Sequence, residues 1–399
     1  MDSATPQQAE AVLLFTTFPV LSETFLQREV RALSNAGASF RIVSLWGGES
    51  EWEGIQIERF GGRGILLGIL CLLIWLIKQP KTVFQLIGLL WKPRQSGLLN
   101  WGENLLGACY GLRHAGRYAS SGTGHCHAVW SSAPAMAAYA IHKLTGTPFS
   151  TAAHAYDLFE NGGDGWMGEK LAAAEWARSS TQAGVNRLIE LGARPNDVLL
   201  ARRGLTEIPE FIERPALSTP LRLLSVGRMV EKMGYERQIP FLSELKNKGI
   251  PFRMVWIGDG PERPGLEEKV NRAGLQELIE FKGRLAFAEV EKAYRASDIL
   301  LFTGKVDSRG DRAGLPNAVA ESMAYGTLVF ATDVGAVREV VDDQKNGFVW
   351  QGEPSTGELE QLLNDPELQA SCRLNAWEWI RDNYDINKNL EPLIRLISA

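Results

Sequence analysis

The amino-acid sequence predicts an α/β protein with two doubly wound domains, each a parallel sheet covered by helices on both faces. Its 399 residues suggest two domains, because most domains hold roughly 100–200 residues. Short apolar strands alternate with helical patterns in two separate series, and parallel strands need crossovers of this kind. A segment at about 208–220, which contains Pro215 and Pro220, separates the two series.

The first series opens with a strand followed by a helix whose apolar residues share one face. Ser22 precedes this helix, in which Phe25, Leu26 and Val30 recur at helical spacing. The strands of this series are expected at Ala11–Phe15, Phe40–Leu45, His127–Ser132 and Pro148–Ala153. Further helical stretches are expected at about 64–91 and at Ala133–Leu144.

The second series repeats the alternation after the proline-containing segment. Its strands are expected at Arg222–Val226, Phe252–Gly258, Ile279–Gly283, Asp298–Phe302 and Leu328–Thr332. We therefore place the domains at 1–207 and 208–375. The segment 376–399 is expected to be a C-terminal helix that packs back on the first domain.

Composition excludes several classes of protein. There are 42 Lys and Arg against 47 Asp and Glu, a net charge of −5, so the basic surplus that nucleic-acid binding uses is lacking. The four cysteines form no CxxC pair, which argues against a disulfide framework and a cysteine-rich zinc site and fits a reducing compartment. The first residues lack the basic start of a signal peptide. We expect a cytoplasmic protein without nucleic acid as a partner.

The longest apolar run, Ile65–Ile77, has two interpretations. Its 13 residues fall short of the roughly 20 that span a bilayer as a helix, so it is not expected to cross a membrane. It is either a helix buried under the first domain or an interfacial helix that docks on an anionic membrane. Basic residues follow it at Lys78, Lys81, Lys92 and Arg94. In the second case, 65–94 would hold the protein at the inner face of the membrane.

Candidate binding residues follow the strands of the second domain. Ligands in open α/β sheets bind beyond the carboxyl ends of the strands. Gly227 follows the first of these strands and lets the backbone approach a ligand, while Arg228 and Lys232 supply two cations suited to a diphosphate. The same stretch could equally be a solvated turn. Asp259 lies between two glycines and is by itself typical of a turn.

A second set follows the strand Asp298–Phe302. Gly314, Leu315 and Pro316 open a predicted helix, whose free N–H groups form an anion site. Glu321 lies further along this helix. Its carboxylate either accepts hydrogen bonds from two vicinal ribose hydroxyls or belongs to the surface.

In the first domain, His154 follows a strand and Asp157 comes three residues later. A histidine at this place is either catalytic or an ordinary hydrogen-bonding residue. His125 and His127 flank Cys126, but no second ligand pair follows at zinc spacing, so a structural role is expected for them. The sequence also offers no paired carboxylates of the DxD type for a divalent cation, and no metal site is expected.

Five stretches together resemble the retaining glycosyltransferases of the GT-B fold, in the large family 4 and nearer to its polysaccharide-assembly members. They are FPVLSETFLQREV, STAAHAYDLF, SVGRMVEKMGY, IGDGPERPGLE and GDRAGLPNAVAESMAYG, followed by GAVREVV and NGFVW. The resemblance covers nearly the whole chain. It implies two facing Rossmann-like domains, an N-terminal acceptor domain and a C-terminal nucleotide-sugar donor domain, with a cleft between them.

The resemblance also implies roles for individual residues. His154, Arg228 and Lys232 would be catalytic, with His154 on the donor-sugar side and the two cations on the diphosphate. The donor-binding set would be Gly227, Arg228, Lys232, Asp259, Gly314, Leu315, Pro316 and Glu321, with Glu321 on the ribose. Ser22, Glu23, Thr24 and Asp157 would face the acceptor or the sugar.

One departure from the family pattern concerns its E-x7-E motif. Glu321 matches the second glutamate, but Ala313 stands where the first is expected. A methyl group can neither bind sugar hydroxyls nor stabilise a developing charge. Asp311 or Asp307 could substitute from the same loop, the sugar could be held differently, the change could be engineered, or activity could have been lost.

The resemblance implies a retaining, metal-independent transfer of a sugar from a UDP- or GDP-linked donor to a glycan or lipid-linked glycan, without any other cofactor. Arg228, Lys232 and the helix N-terminus would stabilise the departing diphosphate. Two alternatives stay open: a catalytically impaired GT-B protein that binds a sugar nucleotide without turnover, and a GT-B sugar-nucleotide epimerase, which should show paired carboxylates around the sugar.

Overall fold

The computed structural model describes residues 10–92, 97–120 and 123–398. The chain divides into two compact units. The first consists of Met1–Arg202 with Ile386–Ala399, and the second of Arg203–Asp385. The division therefore lies five residues before the expected 207/208 boundary, and only 386–399 returns to the first unit.

The first unit is built on an eight-stranded sheet. The strands are β1 (Glu10–Phe15), β2 (Phe40–Ser44), β3 (Glu51–Trp52), β4 (Ile55–Arg59), β5 (Thr123–Ala128), β6 (Phe149–Ala153), β7 (Trp176–Ser179) and β8 (Val198–Leu200). They lie in the order β3-β4-β2-β1-β5-β6-β7-β8. All pairs are parallel except the hairpin of β3 and β4.

Helices cover this sheet. They are α1 (Thr24–Asn35), α2 (Gly61–Lys78), α3 (Pro80–Trp91), α4 (Gly97–Ser120), α5 (Ala133–Thr145), α6 (Ala155–Phe159), α7 (Met167–Ala173) and α8 (Gln182–Glu190). The contact between α4 and α5 depends on glycine, because a Cβ at Gly107 would overlap the carbonyl oxygen of Ala133. The alanine-rich α5 is almost wholly buried as a result.

The second unit is built on a six-stranded, wholly parallel sheet. Its strands are β9 (Leu221–Val226), β10 (Phe252–Ile257), β11 (Ile279–Gly283), β12 (Ile299–Phe302), β13 (Leu328–Thr332) and β14 (Phe348–Trp350), in the order β11-β10-β9-β12-β13-β14. Its helices are α9 (Gln238–Asn247), α10 (Arg263–Arg272), α11 (Phe287–Ala296), α12 (Asn317–Ala324), α13 (Gly357–Leu363) and α14 (Pro366–Asn383). Both units thus have the parallel, helix-covered sheets that the alternating pattern predicts.

The end of the chain forms two helices that belong to different units. The helix α14 ends at Asn383 in the second unit, and α15 (Ile386–Ser398) belongs to the first. The side chains of Leu390, Leu393 and Ile397 are buried in the same apolar cluster as α1. Residues 376–385, which were expected to pack on the first domain, therefore lie in the second unit.

Several expected element bounds are corrected by the structure. The strand expected at His127–Ser132 is β5, which ends at Ala128, because 129–132 form the turn that leads into α5. The helical stretch expected at 64–91 is interrupted at Gln79, since Pro80 begins a new helix. The strands β3, β4, β7, β8 and β14 were not predicted from the sequence. All except β4 have only two to four residues, which carry too little pattern.

The helix α2 has 18 residues and is longer than the 13-residue apolar run inside it. By length and composition alone it could cross a membrane, with a mean hydropathy of 1.8 and 11% of its residues buried. The expectation that this stretch is too short therefore does not hold for the helix as a whole. A single helix of this kind is weak evidence for a membrane span.

Candidate functional site

The loops after β9 and β10 pack directly on each other in the second unit. The N–H of Met229 donates to the carbonyl of Asp259 at 3.0 Å. A Cβ at Gly258 would overlap the Gly227 carbonyl oxygen, and Gly258 has a φ of +130° that favours glycine. The predicted residues Gly227 and Asp259 are thus neighbours, and the tight glycine turn is needed for the approach.

The two candidate cations of this unit have different surroundings. Arg228 is exposed. Lys232 lies in the short 3-10 helix Glu231–Met233, and its ammonium forms an ion pair with Asp311, whose side chain is 5% exposed. The loop after β12 supports this position, since the N–H of Lys305 donates to the carbonyl of Lys232 at 3.0 Å.

The carboxylates proposed to replace the missing glutamate already have partners, most of them in their own loop. Asp311 accepts from the N–H of Arg312 at 2.7 Å and pairs with Lys232. Asp307 accepts from the N–H groups of Arg309 and Asp311, both at 2.9 Å. These contacts hold the loop in shape.

The stretch before α12 differs slightly from the predicted helix start. The helix begins at Asn317, so Pro316 is its N-cap and Leu315 lies before it. Ala313 is buried, with 8% exposure, in an apolar cluster that also contains Leu315 and Val319. A carboxylate at position 313 would therefore stand among apolar side chains.

Glu321 is buried rather than at the surface, with 5% exposure. Its carboxylate accepts a hydrogen bond from the phenol of Tyr294 at 3.0 Å. Tyr294 comes from α11 and is itself fully buried. This positioning contact was missed in the sequence, where one tyrosine in an amphipathic helix gives no signal of its partner.

The strands β9, β10, β12 and β13 end at the same edge of the sheet, and their following loops touch there. After β13, a Cβ at Gly335 would overlap the carbonyl oxygen of Ala313. The structure thus gathers Gly227, Arg228, Lys232, Asp259, Gly314, Leu315, Pro316 and Glu321 in the loops and helix that follow these strands.

The candidate residues of the first unit also meet. His154 directly follows β6 and is 4% exposed. Its ring lies edge-on to Phe25 of α1, with 5.3 Å between centroids, and to Trp130 at 4.7 Å. Glu23 is the N-cap of α1 and Thr24 its first residue, whereas Ser22 is exposed. Packing of α1 on the loop after β6 therefore brings these two sets of residues near each other.

Asp157 is fully buried, and its carboxylate accepts from the N–H of His154 at 3.1 Å. Burial raises the pKa of Asp157 to about 8, despite that hydrogen bond. Nearby on α4, burial raises the pKa of Glu103 to about 7, and Tyr156 donates to it at 3.2 Å. Both carboxyl groups therefore take up protons near neutral pH.

A buried ion pair lies beside these acids. Lys170 and Asp164 are 2.6 Å apart, and both side chains are wholly buried. The pair is joined by Asn104, which accepts from Lys170 at 2.9 Å, and by Asn100, which donates to Asp164 at 2.7 Å. This cluster was not predicted from the sequence, although Asn100, Glu103 and Asn104 form a polar stripe within an apolar stretch that could have indicated it.

The histidines around Cys126 have structural contacts. His125 and His127 both bond the hydroxyl of Ser150, at 2.7 and 2.8 Å, and both stack on Trp176. Arg178 donates to His127 at 3.2 Å, and burial lowers the pKa of this histidine. Among residues 10–92, 97–120 and 123–398, no group of His, Cys, Asp and Glu has the arrangement of a metal site.

A cavity of about 530 Å³ lies elsewhere in the second unit, between 338–346 and α14. Its lining includes Lys345, Asn375 and Trp379. It contains none of the predicted site residues. The candidate site therefore rests on the loops at the carboxyl edge of the sheet and not on this cavity.

Residues 207–379, which lie within the second unit, match the sequence model of the family described as glycosyl transferases group 1. Solved structures are similar to the chain over nearly its whole length. HepE of Anabaena, solved in complex with UDP, has a TM-score of 0.67 and 15% identity and covers 98% of this chain and 99% of its own. Sucrose-phosphate synthase of Thermosynechococcus elongatus has a TM-score of 0.70 and 14% identity over 98% and 99%. The chain thus has the GT-B fold.

Curated relatives are similar over a shorter stretch. WcaL of Escherichia coli (strain K12), named as a colanic acid biosynthesis glycosyltransferase, is 30% identical over 53% of this chain and 54% of its own length. AmsK of Erwinia amylovora, named as an amylovoran biosynthesis glycosyltransferase, is 28% identical over 41% and 40%. The chain spans about half the length of the first of these relatives and less of the second.

Proposed function

We propose that the protein is a glycosyltransferase of polysaccharide biosynthesis. It would move a sugar from a nucleoside-diphosphate donor to a glycan or a lipid-linked glycan. The proposal is supported by the group 1 domain at 207–379 and by relatives named for colanic acid and amylovoran biosynthesis. The observation that carries it is the meeting of Arg228, Lys232 and Glu321 on segments that follow neighbouring strands of one parallel sheet.

The donor diphosphate would bind at the loop after β9. Arg228 offers an exposed planar fork and Lys232 a point charge, and the first amides of α12 add partial positive charge. The buried carboxylate of Glu321, oriented by Tyr294, would accept from the ribose hydroxyls. HepE was solved with UDP, which makes UDP-linked sugars the first donors to test.

The transfer would retain the configuration of the sugar. The acceptor oxygen forms a bond to the anomeric carbon on the face from which the diphosphate leaves, as the bond to phosphate oxygen breaks. The proton of the acceptor hydroxyl passes to the departing diphosphate. Positive charge from Arg228, Lys232 and α12 would stabilise the leaving group without a metal ion, and His154 would line the sugar side.

A second candidate function follows from Ala313. This residue is buried among apolar side chains in place of the expected glutamate, which favours binding of a sugar nucleotide without turnover. An epimerase has less support, because Asp307 is hydrogen-bonded within its own loop and Asp311 is paired with Lys232. Turnover therefore has to be measured separately from binding.

The test is a panel of UDP-, GDP- and other nucleotide sugars with wild-type protein. Calorimetry measures binding, and release of nucleoside diphosphate measures hydrolysis and transfer. We expect one base to bind and its sugar to be transferred or slowly hydrolysed. Binding without release would support the impaired protein, in which Ala313→Glu, compared with Ala313→Gln, shows whether a carboxylate restores turnover. Absence of binding across the panel would overturn both functions.

A further inference from the structure

We infer that an exposed apolar face of the first unit docks on the surface of an anionic lipid bilayer. The face, called the outer face below, is formed by α2, α3 and the start of α4. The residues that define it are Leu66, Leu70, Leu73, Ile77, Trp91 and Leu98. Their exposed fractions run from 61% for Leu70 to 89% for Leu98.

The outer face is apolar on the side that a surface helix normally turns to solvent with polar residues. On α2, Leu66, Leu70, Leu73 and Ile77 recur at spacings of three and four residues and point to solvent. The inward side of the same helix carries the buried Gly64 and Gly68 and the partly buried Ile65, Leu72 and Trp75. Soluble proteins rarely expose so large a continuous apolar patch unless it contacts a partner or a membrane.

The three helices form one layer, so the exposed residues belong to a single surface. Trp75 of α2 donates to the carbonyl of Leu112 on α4 at 2.7 Å, and Trp101 of α4 donates to that of Leu90 on α3 at 3.1 Å. A Cβ at Gly68 would overlap the Cys109 carbonyl oxygen on α4. The close packing on α4 fixes which side of α2 faces outward.

The charges around the outer face match an anionic surface. The segment Gly61–Gly102 has five basic residues and no acidic residue, within a chain of net charge −5. Lys78, Lys81 and Lys92 are exposed at the ends of α2 and α3. Basic residues beside an apolar helix face are attracted to anionic headgroups while the apolar side chains enter the boundary of the acyl chains.

The same observations argue against two other occupants. A second copy would bring the basic segment against itself and place like charges together. A spanning α2 would have to leave α4, to which Gly68 and Trp75 attach it. A helix that lies on the membrane keeps those contacts. If the proposed function holds, this placement favours a lipid-linked acceptor.

The test is flotation of the full chain with vesicles of phosphatidylcholine mixed with phosphatidylglycerol, against phosphatidylcholine alone. We expect binding to the anionic vesicles that weakens as salt rises. The variant Leu66→Gln, Leu70→Gln, Leu73→Gln, Ile77→Gln should lose at least about tenfold in bound fraction. The control Leu21→Gln, Ile212→Gln, Leu374→Gln replaces three exposed apolar residues outside the outer face and should bind as wild type.

Charge is tested separately from apolarity. Lys78→Glu with Lys81→Glu should weaken binding about tenfold or more, whereas Lys292→Glu with Lys345→Glu should not. Circular dichroism and thermal melting check that each variant is folded. No flotation with anionic vesicles would overturn the inference.

Two further results would also overturn it. One is resistance of the bound protein to extraction with alkaline carbonate, which would show a spanning helix. The other is a dimer in the absence of vesicles that the glutamine variant abolishes. None of these measurements depends on turnover, so failure here and failure of the proposed glycosyltransfer are distinguishable.

Discussion

The ammonium of Lys232 shows how a single residue can be placed for a ligand and still have a partner. Asp311 pairs with it, and the carbonyl of Lys232 is fixed by the N–H of Lys305. A diphosphate at this position would meet a lysine whose direction is already set. It would also have to share that lysine with a carboxylate, which makes the exposed Arg228 the more available cation.

Asp157 carries the clearest consequence for pH dependence. Its carboxyl group is fully buried, which raises its pKa from 3.8 to about 8. In the folded protein it is therefore protonated between these two values, while in the unfolded chain it is ionised. Because the folded state binds more protons in this window, stability falls as the pH rises from about 4 to 8.

We predict that Asp157→Asn flattens this dependence. Asparagine can still accept from the N–H of His154 and has no proton to lose. In wild type the free energy of unfolding should fall with pH by up to about 1.4 kcal/mol per pH unit between pH 5 and 8 because of Asp157, and the variant should lack this decrease. Denaturant titrations across this range measure it.

The matched control is Glu190→Gln, an exposed carboxylate of the same unit with 63% exposure. It should leave the slope as in wild type. An Asp157→Asn variant whose slope equals that of wild type would show that this carboxyl group is ionised in the folded protein.

At the scale of elements, the helix α4 joins the apolar outer layer to the core of the first unit. Gly107 and Gly111 allow α5 to approach on one side, and Gly68 of α2 allows the approach of α4 on the other. The helices α2 and α5 therefore contact α4 through backbone atoms at these glycines and not through large side chains. The position of the outer face therefore depends on backbone contacts that tolerate no added carbon.

Two glycines of α4 give opposite predictions for the same substitution. Gly107→Ala should lower the free energy of unfolding by about 1–3 kcal/mol, because the new methyl group meets the Ala133 carbonyl oxygen. Gly116→Ala meets nothing within 4 Å and should raise it by up to about 1 kcal/mol through helix propensity.

Thermal and denaturant unfolding of the two single variants measures both effects. Equal shifts of the same sign would contradict the packing described for α4 and α5. A Gly107→Ala variant with an unchanged free energy of unfolding would show that α5 can move away from α4 without loss of stability.

The elements that sequence predicts best are those with a long or regular pattern. The strands Ile279–Gly283 and Leu328–Thr332 have the expected bounds, because apolar residues and turn signals enclose them. The strand β7, with the sequence WARS, is missed since its buried Arg178 looks like a surface residue until its partner Glu29 is known. The burial of such a charged residue depends on a partner distant in sequence, which a local pattern does not indicate.

At the scale of the whole molecule, two α/β units follow from the alternation of strands and helices, but the path of the chain between them does not. The return of α15 to the first unit depends on Leu390 and Leu393 finding the cluster around α1. The local sequence of 376–399 does not indicate that α14 belongs to the second unit whereas α15 returns to the first.

The same limit applies to the candidate site. Arg228, Lys232 and Glu321 are predicted as site residues from their places after strands and from the resemblance to a family. The partners Asp311 and Tyr294 lie 79 and 27 residues away from the groups that they contact, so only the folded chain shows them.

The central claim is that cations after β9 bind the diphosphate of a nucleotide sugar, and the double variant Arg228→Ala, Lys232→Ala tests it most directly. Calorimetry with the nucleoside diphosphate that wild type binds, together with transfer from the matching donor, measures the effect. We predict binding weakened by at least about a hundredfold and loss of transfer. The variant should stay folded by circular dichroism, with a lowered melting temperature because the buried Asp311 loses its ion-pair partner. The control Lys292→Ala, Lys345→Ala should bind as wild type. Binding and turnover in the double variant equal to those of wild type would contradict the account.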